Sequence, residues 1–173
     1  MTSKSKNKGN CWERDISKFL SEIFGENFVR VPNSGAFTGG KNNFRKKILT
    51  KNQISSRKGD IQPPDSLCFL NIEAKNYSNI NFHQIINGSC TLLNNWINQT
   101  EISANENDLS FTIFKISRKG SWVCFSSDLF KNFNILSYAF YVKDENNSYI
   151  VTDFELFFKN NFKKIIELSG KIF

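Results

Sequence analysis

The residue pattern predicts an α/β domain with a mixed central β-sheet flanked by helices. Three observations carry that expectation. Helical periodicity opens and closes the chain, and strand-like runs fill most of the middle. Read in order, the elements run helix, strand, loop, strand, strand, helix, strand, strand, hairpin, helix, which suits a sheet covered by helices. The 173 residues are one domain's worth and show no internal repeat, so residues 11–173 read as a single domain behind a short basic, disordered tail at 1–10.

The first helix is expected from Cys11 to about Gly25, because Trp12, Ile16, Phe19, Leu20, Ile23 and Phe24 recur at spacings of three and four. Asn10 is a plausible N-cap. At about 100° per residue, Glu13 falls roughly 60° from the centre of the apolar stripe, whereas Arg14 and Lys18 fall on the far side. Glu13 therefore leans toward the packed face. As the third helical residue it also suits a capping box with Asn10, and both roles stand at this stage.

A short strand is expected at Phe28–Val31. The segment from Asn33 to Gly59 then contains no acidic residue, and Lys41, Arg45, Lys46, Lys47, Lys51, Arg57 and Lys58 are seven cations within eighteen positions. Such a one-sided run reads as a loop or extended hairpin, either solvated or laid against nucleic acid. Asp60–Gln62 can start a strand before Pro63-Pro64, and Leu67–Lys75 reads as a strong strand. Its period of two puts Phe69, Asn71, Glu73 and Lys75 on one face and Cys68, Leu70, Ile72 and Ala74 on the other. A helix at Asn81–Gln99, paired strands at Leu109–Ser117 and Trp122–Ser126, and a hairpin of Tyr138–Val142 with Tyr149–Val151 follow. The closing helix begins near Asp153, where Thr152-Asp-Phe-Glu155 has capping-box form.

Composition narrows the function classes. A net charge of +7 favours a polyanionic partner, since each phosphate contact releases condensed counterions; an inert basic surface explains the charge equally well. Four dispersed cysteines (Cys11, Cys68, Cys90, Cys124) and one histidine, His83, argue against a structural zinc site. Cys68 and Cys124 read as core residues in a reducing, cytoplasmic compartment. No stretch approaches the roughly 18 apolar residues of a membrane span.

The chemistry-bearing segment is Gly59–Lys75, GDIQPPDSLCFLNIEAK. If its two strands pair antiparallel, Asp60 faces Glu73 across the sheet, and two converging carboxylates suit a hard cation such as Mg2+. Lys75, on the same face as Glu73, would orient a water or neutralise charge on a phosphate. Asp-x12-Glu-x-Lys is a loose pattern, and a solvent-facing Glu and Lys would satisfy it too. An apolar, central-looking strand makes charges on it costly without a purpose, which favours the functional reading.

WERDISKFL, FVRVPNSGAF, KGDIQPPD and FLNIEAKNY together resemble the PD-(D/E)XK nuclease superfamily, and within it the archaeal-type Holliday junction resolvases and their viral relatives. The matching positions are Glu13-Arg14, Arg30-Val-Pro-Asn-Ser34-Gly35, Asp60 and Glu73-Ala-Lys75, and the likeness covers about Trp12 to Phe125. The resemblance implies a restriction-endonuclease-like fold and metal-dependent hydrolysis of DNA. It implies Mg2+, with Mn2+ able to substitute, held by Glu13, Asp60 and Glu73, with Lys75 assisting the water and Ser34 beside the scissile phosphate. It further implies a homodimer that cuts four-way junctions to leave 5′-phosphates, in the host cytoplasm if virus-encoded. Arg14, Arg30, Lys41, Arg45, Lys46, Lys47, Arg57, Lys58, Lys115 and Arg118 are the expected DNA contacts. The stretch Lys41–Lys58 is long for the compact resolvases, so a restriction- or repair-type enzyme on duplex DNA, or a non-catalytic DNA-binding protein, remain alternatives. Gln84 matches a glutamine some superfamily members use, but it also fits a helix cap with Asn81.

Overall fold

A computed structural model describes residues 2–32 and 58–169. The elements are α1 (Thr2–Phe24), β1 (Val29–Arg30), β2 (Ile61–Gln62), β3 (Leu70–Tyr77), α2 (Phe82–Ile86), α3 (Thr91–Ser103), β4 (Leu109–Ile116), β5 (Gly120–Ser126), β6 (Tyr138–Val142), β7 (Ser148–Asp153) and α4 (Phe154–Ser169). Short 3-10 turns occupy Asp65–Leu67 and Ser127–Asn132. The strands form one mixed sheet in the order β1-β2-β3-β4-β5-β7-β6, in which only β3 and β4 run parallel. That is the expected fold class, a mixed sheet with helices on both faces.

One face carries Leu70, Ile72, Phe111, Ile113, Val123, Phe125 and Ile150, which pack with Trp12, Ile16, Leu20 and Phe24 of α1 and Phe154, Phe157, Phe158 and Ile165 of α4. Phenylalanine dominates this layer: Phe111 meets Phe125, Phe157 and Phe158 with ring centroids 5.9, 5.7 and 5.5 Å apart. The other face packs under α2 and α3 and contains Leu93, Trp96, Ile97, Phe114, Cys124, Tyr141 and Val151. Both faces of the sheet are therefore buried, which is why β4 reads as a nearly continuous apolar run.

Three boundaries differ from expectation. Helix α1 starts at Thr2, not Cys11, so the expected disordered tail is helical from Thr2 onward. Its polar sequence has too little apolar surface to announce a helix, and tertiary bonds hold it: Asn76 Nδ2 donates to the Lys8 carbonyl (3.1 Å) and Arg30 Nη2 to Asn10 Oδ1 (2.6 Å). Asn10 and Glu13 are thus mid-helix residues, and the capping-box reading of Glu13 falls away.

The helix expected over Asn81–Gln99 is two helices broken at Gly88, whose φ is +68°. A Cβ there would meet the Val142 carbonyl at 3.0 Å, so the break lets α2 close onto β6. At the last helix, Asp153 rather than Thr152 is the cap: its Oδ1 accepts from Leu156 N (2.8 Å), while the Thr152 hydroxyl donates to the Ser137 carbonyl (2.6 Å).

Candidate active site

The site forms where β2 returns against β3. Ile61 pairs with Ile72, so the preceding Asp60 arrives beside Glu73. Three consecutive residues fix that approach. Lys58 is buried, and its Nζ pairs with Asp108 Oδ1 (2.8 Å) and donates to the Cys68 carbonyl (2.6 Å). Gly59 has φ +64°, and a Cβ on it would lie 2.4 Å from the Ile72 carbonyl oxygen; only glycine lets the chain pass so close. Asp60 N donates to Ile72 O (2.8 Å), and Asp60 Oδ2 accepts from Ala74 N (2.9 Å). The Asp60 main chain is therefore tied to β3, and one oxygen of its carboxylate is fixed by the Ala74 amide.

Glu73 lies mid-strand, 3% exposed. Its Oε1 accepts from Lys75 Nζ (2.6 Å) and from Gln99 Nε2 of α3. Burial pushes the Glu73 carboxyl up to about 7; the adjacent Asp60 carboxylate adds to the rise and Lys75 opposes it. Gln99 reaches the site because a polar seam locks α3 onto the sheet. Asn71 Nδ2 donates to the Thr100 carbonyl (2.8 Å), Ser103 Oγ donates to Asn71 Oδ1 (3.2 Å), and the hydroxyls of Thr100 and Thr112 lie 2.7 Å apart. Sequence reading missed Gln99. The available signal was a glutamine on the helix after the Glu-x-Lys strand, but only Gln84 was weighed for that role, and a helix cap with Asn81 was preferred for it. In the structure Gln84 belongs to α2, and its carbonyl accepts from Ser89 N (2.9 Å).

Two carboxylates that converge in a buried place, where burial first and the neighbouring Asp60 second push Glu73 up to about 7, are a donor set that fits a hard divalent cation. Among the described residues, no group of three or more His, Cys, Asp or Glu side chains gathers as a metal-holding cluster. Glu13, expected as a third ligand, instead pairs with Arg30 Nε, one strand over from Asp60, where Arg30 and Ile61 are register partners. Arg30, an expected DNA contact, is thereby engaged with Glu13 and Asn10.

Of the other expected cations, Arg14 and Arg118 are exposed. Lys58 is a correction: it sits in a buried ion pair and presents nothing to solvent, because the chain must turn inward there to deliver Asp60. Lys115 is also displaced from the reading. It pairs in register with Asn76, so it points to the sheet face opposite Lys75, with Nζ 4.9 Å from the Trp12 ring centroid. Ser34, Lys41, Arg45, Lys46, Lys47 and Arg57 lie outside the described residues. His83 is exposed on α2, and no helix among the described residues is long and apolar enough to cross a membrane.

Comparison with curated proteins and with solved structures returns no match. A protein-family model described as phage putative PDDEXK endonuclease matches residues 4–167. That span takes in most of both outer helices, the seven strands of the described residues, and Asp60, Glu73 and Lys75. With a mixed sheet that sets an Asp against a Glu-x-Lys strand, and a family match running nearly end to end, the chain belongs to the phage putative PDDEXK endonuclease family of the PD-(D/E)XK nucleases.

Proposed function

We propose that this chain is a magnesium-dependent endonuclease that cuts branched DNA in the manner of a Holliday junction resolvase, leaving 5′-phosphates. The convergence of Asp60 on Glu73, with Lys75 bonded to the same Glu73 oxygen, carries the reading. Asp60 and Glu73 would hold the ion. A divalent cation bound there, Mg2+ or in its place Mn2+, would supply Lewis-acid polarisation of the phosphoryl group and lower the pKa of a water.

The protein's own part is positional and electrostatic. The Ala74 amide fixes one oxygen of Asp60, and Gln99 and Lys75 aim Glu73. Lys75 Nζ, bonded to Glu73, would orient the attacking water and offset charge developing on the phosphate. The water's oxygen attacks phosphorus and the 3′-oxygen leaves, which is the direction that yields a 5′-phosphate. The Glu13–Arg30 pair, on the strand that pairs with β2, would set a second cationic group beside the site.

Branched DNA is favoured by the ordered likeness to the junction resolvases at Arg30, Ser34, Asp60, Glu73 and Lys75, and by the run of cations from Lys41 to Arg57 that precedes Asp60 in the sequence. A homodimer would deliver two opposed cuts. In support of one, edge strand β6 exposes Tyr138, Phe140 and Val142, with Leu136 and Ile86 also exposed nearby in the chain or the fold. The deciding experiment compares Mg2+-dependent cleavage of a synthetic four-way junction with that of a linear duplex of matching sequence. The proposal expects symmetric cuts on the junction at least about tenfold faster than any on the duplex. Equal rates would make this a duplex endonuclease instead.

A further inference from the structure

Beyond the cleavage residues, β3 ends in an aromatic side chain that the chemistry above does not use. Tyr77 follows Glu73 and Lys75 at the strand period of two, so it stands on the same sheet face, about 7 Å past Lys75. It is 43% exposed although its ring rests on Trp96, with centroids 4.9 Å apart. Behind it the support is continuous: Trp96 meets Phe114 at 5.4 Å, and Phe114 stacks on Trp122 at 5.6 Å. Trp96 and Phe114 are buried, so Tyr77 is the solvent-facing end of a rigid aromatic row.

The strand end is pinned, since the Tyr77 carbonyl accepts from Ser117 N (3.0 Å). The adjoining β4–β5 turn supplies positive charge. Lys119 Nζ is steered by Asn79 Oδ1 (2.7 Å), and Arg118 belongs to none of the ion pairs among the described residues. Arg118 also adopts φ +62°, a left-handed conformation that a non-glycine residue takes at a cost.

A half-exposed ring on a fixed backing, next to cations and in line with a phosphodiester-cutting centre, matches the way proteins hold an unpaired base: the ring stacks and the cations take the backbone. A base inside intact duplex already has both faces covered by its neighbours. We infer that Tyr77 is a stacking platform for one unpaired nucleobase beside the cleaved phosphate, with Arg118 and Lys119 holding the adjoining phosphates, so that the enzyme selects DNA that is open at the cut. This rests on the nuclease reading and deepens it to a substrate class.

The test is binding by the full-length protein in EDTA, where no cleavage intervenes. The probes are a duplex carrying 2-aminopurine in a short unpaired bulge and the same duplex fully paired. The wild type and Tyr77→Phe should bind the bulged probe more tightly and quench its fluorescence. Tyr77→Leu keeps an apolar cover over Trp96 but removes the π-face. It should bind the bulged probe about 5- to 150-fold more weakly, the equivalent of ~1–3 kcal/mol per stacked base at about 1.4 kcal/mol per tenfold, and leave it bright. Its affinity for the paired duplex should stay within about twofold of wild type.

Equal loss on both probes, or no loss on either, overturns the Tyr77 assignment while leaving the nuclease reading intact. A wild-type protein that binds neither probe overturns both. Retention of the wild-type circular dichroism spectrum by Tyr77→Leu confirms that a loss reflects the ring and not the fold.

Discussion

Glu73 is a carboxyl group held where its charged form is disfavoured. It is buried, stands against a second carboxylate, and is restrained by Lys75 and Gln99. Its folded-state pKa of about 7 lies above the ordinary value of 4.5, so the folded form is favoured while Glu73 stays protonated, and that contribution is lost as pH rises through about 7. The metal-free protein should therefore be less stable at pH 8 than at pH 5.5 on account of this residue. Glu73→Gln keeps the shape and sheds the charge. It should stabilise the metal-free protein at pH 8 by about 1–3 kcal/mol, with little gain at pH 5, while ending cleavage. Urea denaturation at the two pH values checks it; a variant destabilised at pH 8 would show that Glu73 is not under this strain.

At the scale of elements, the β2–β3 corner decides where Asp60 goes. Breaking the buried Lys58–Asp108 pair from one side, as in Lys58→Met, should cost about 3–5 kcal/mol because the Asp108 carboxylate is left buried without its cation, with only the Asn105 amide among the described residues bonded to it. The double change Lys58→Met with Asp108→Leu should recover most of it. Denaturant midpoints measure both, and a fully stable single mutant would remove the pair from its anchoring role. The alternation of β3 and the meeting of Asp60 with Glu73 were legible in sequence, because a period of two and an antiparallel return leave few alternatives. Lys58 was misread because a basic run suggests solvent, and nothing local says that its last member turns inward. The helical Thr2–Asn10 was missed because its bonds run to Asn76 and Arg30, distant in the chain. Gln99 was hidden by the break at Gly88, which an Asn-Gly pair inside a helical pattern does signal.

Over the whole molecule, one aromatic layer and one mixed layer clamp the sheet, and the candidate site residues Asp60, Glu73, Lys75 and Gln99 lie at the junction of β2, β3 and α3. The family match points to a nuclease, and in the proposed function Asp60 and Glu73 hold the ion that makes it one. A Mg2+ titration of cleavage on a synthetic four-way junction, run with wild type, Asp60→Ala and Glu73→Ala, tests that claim most directly. Cleavage by the wild type should rise from nothing in EDTA and saturate with Mg2+, while both variants fall below about 1% of its rate and still bind the junction. Normal cutting by either variant, or cutting by the wild type in EDTA, would contradict it.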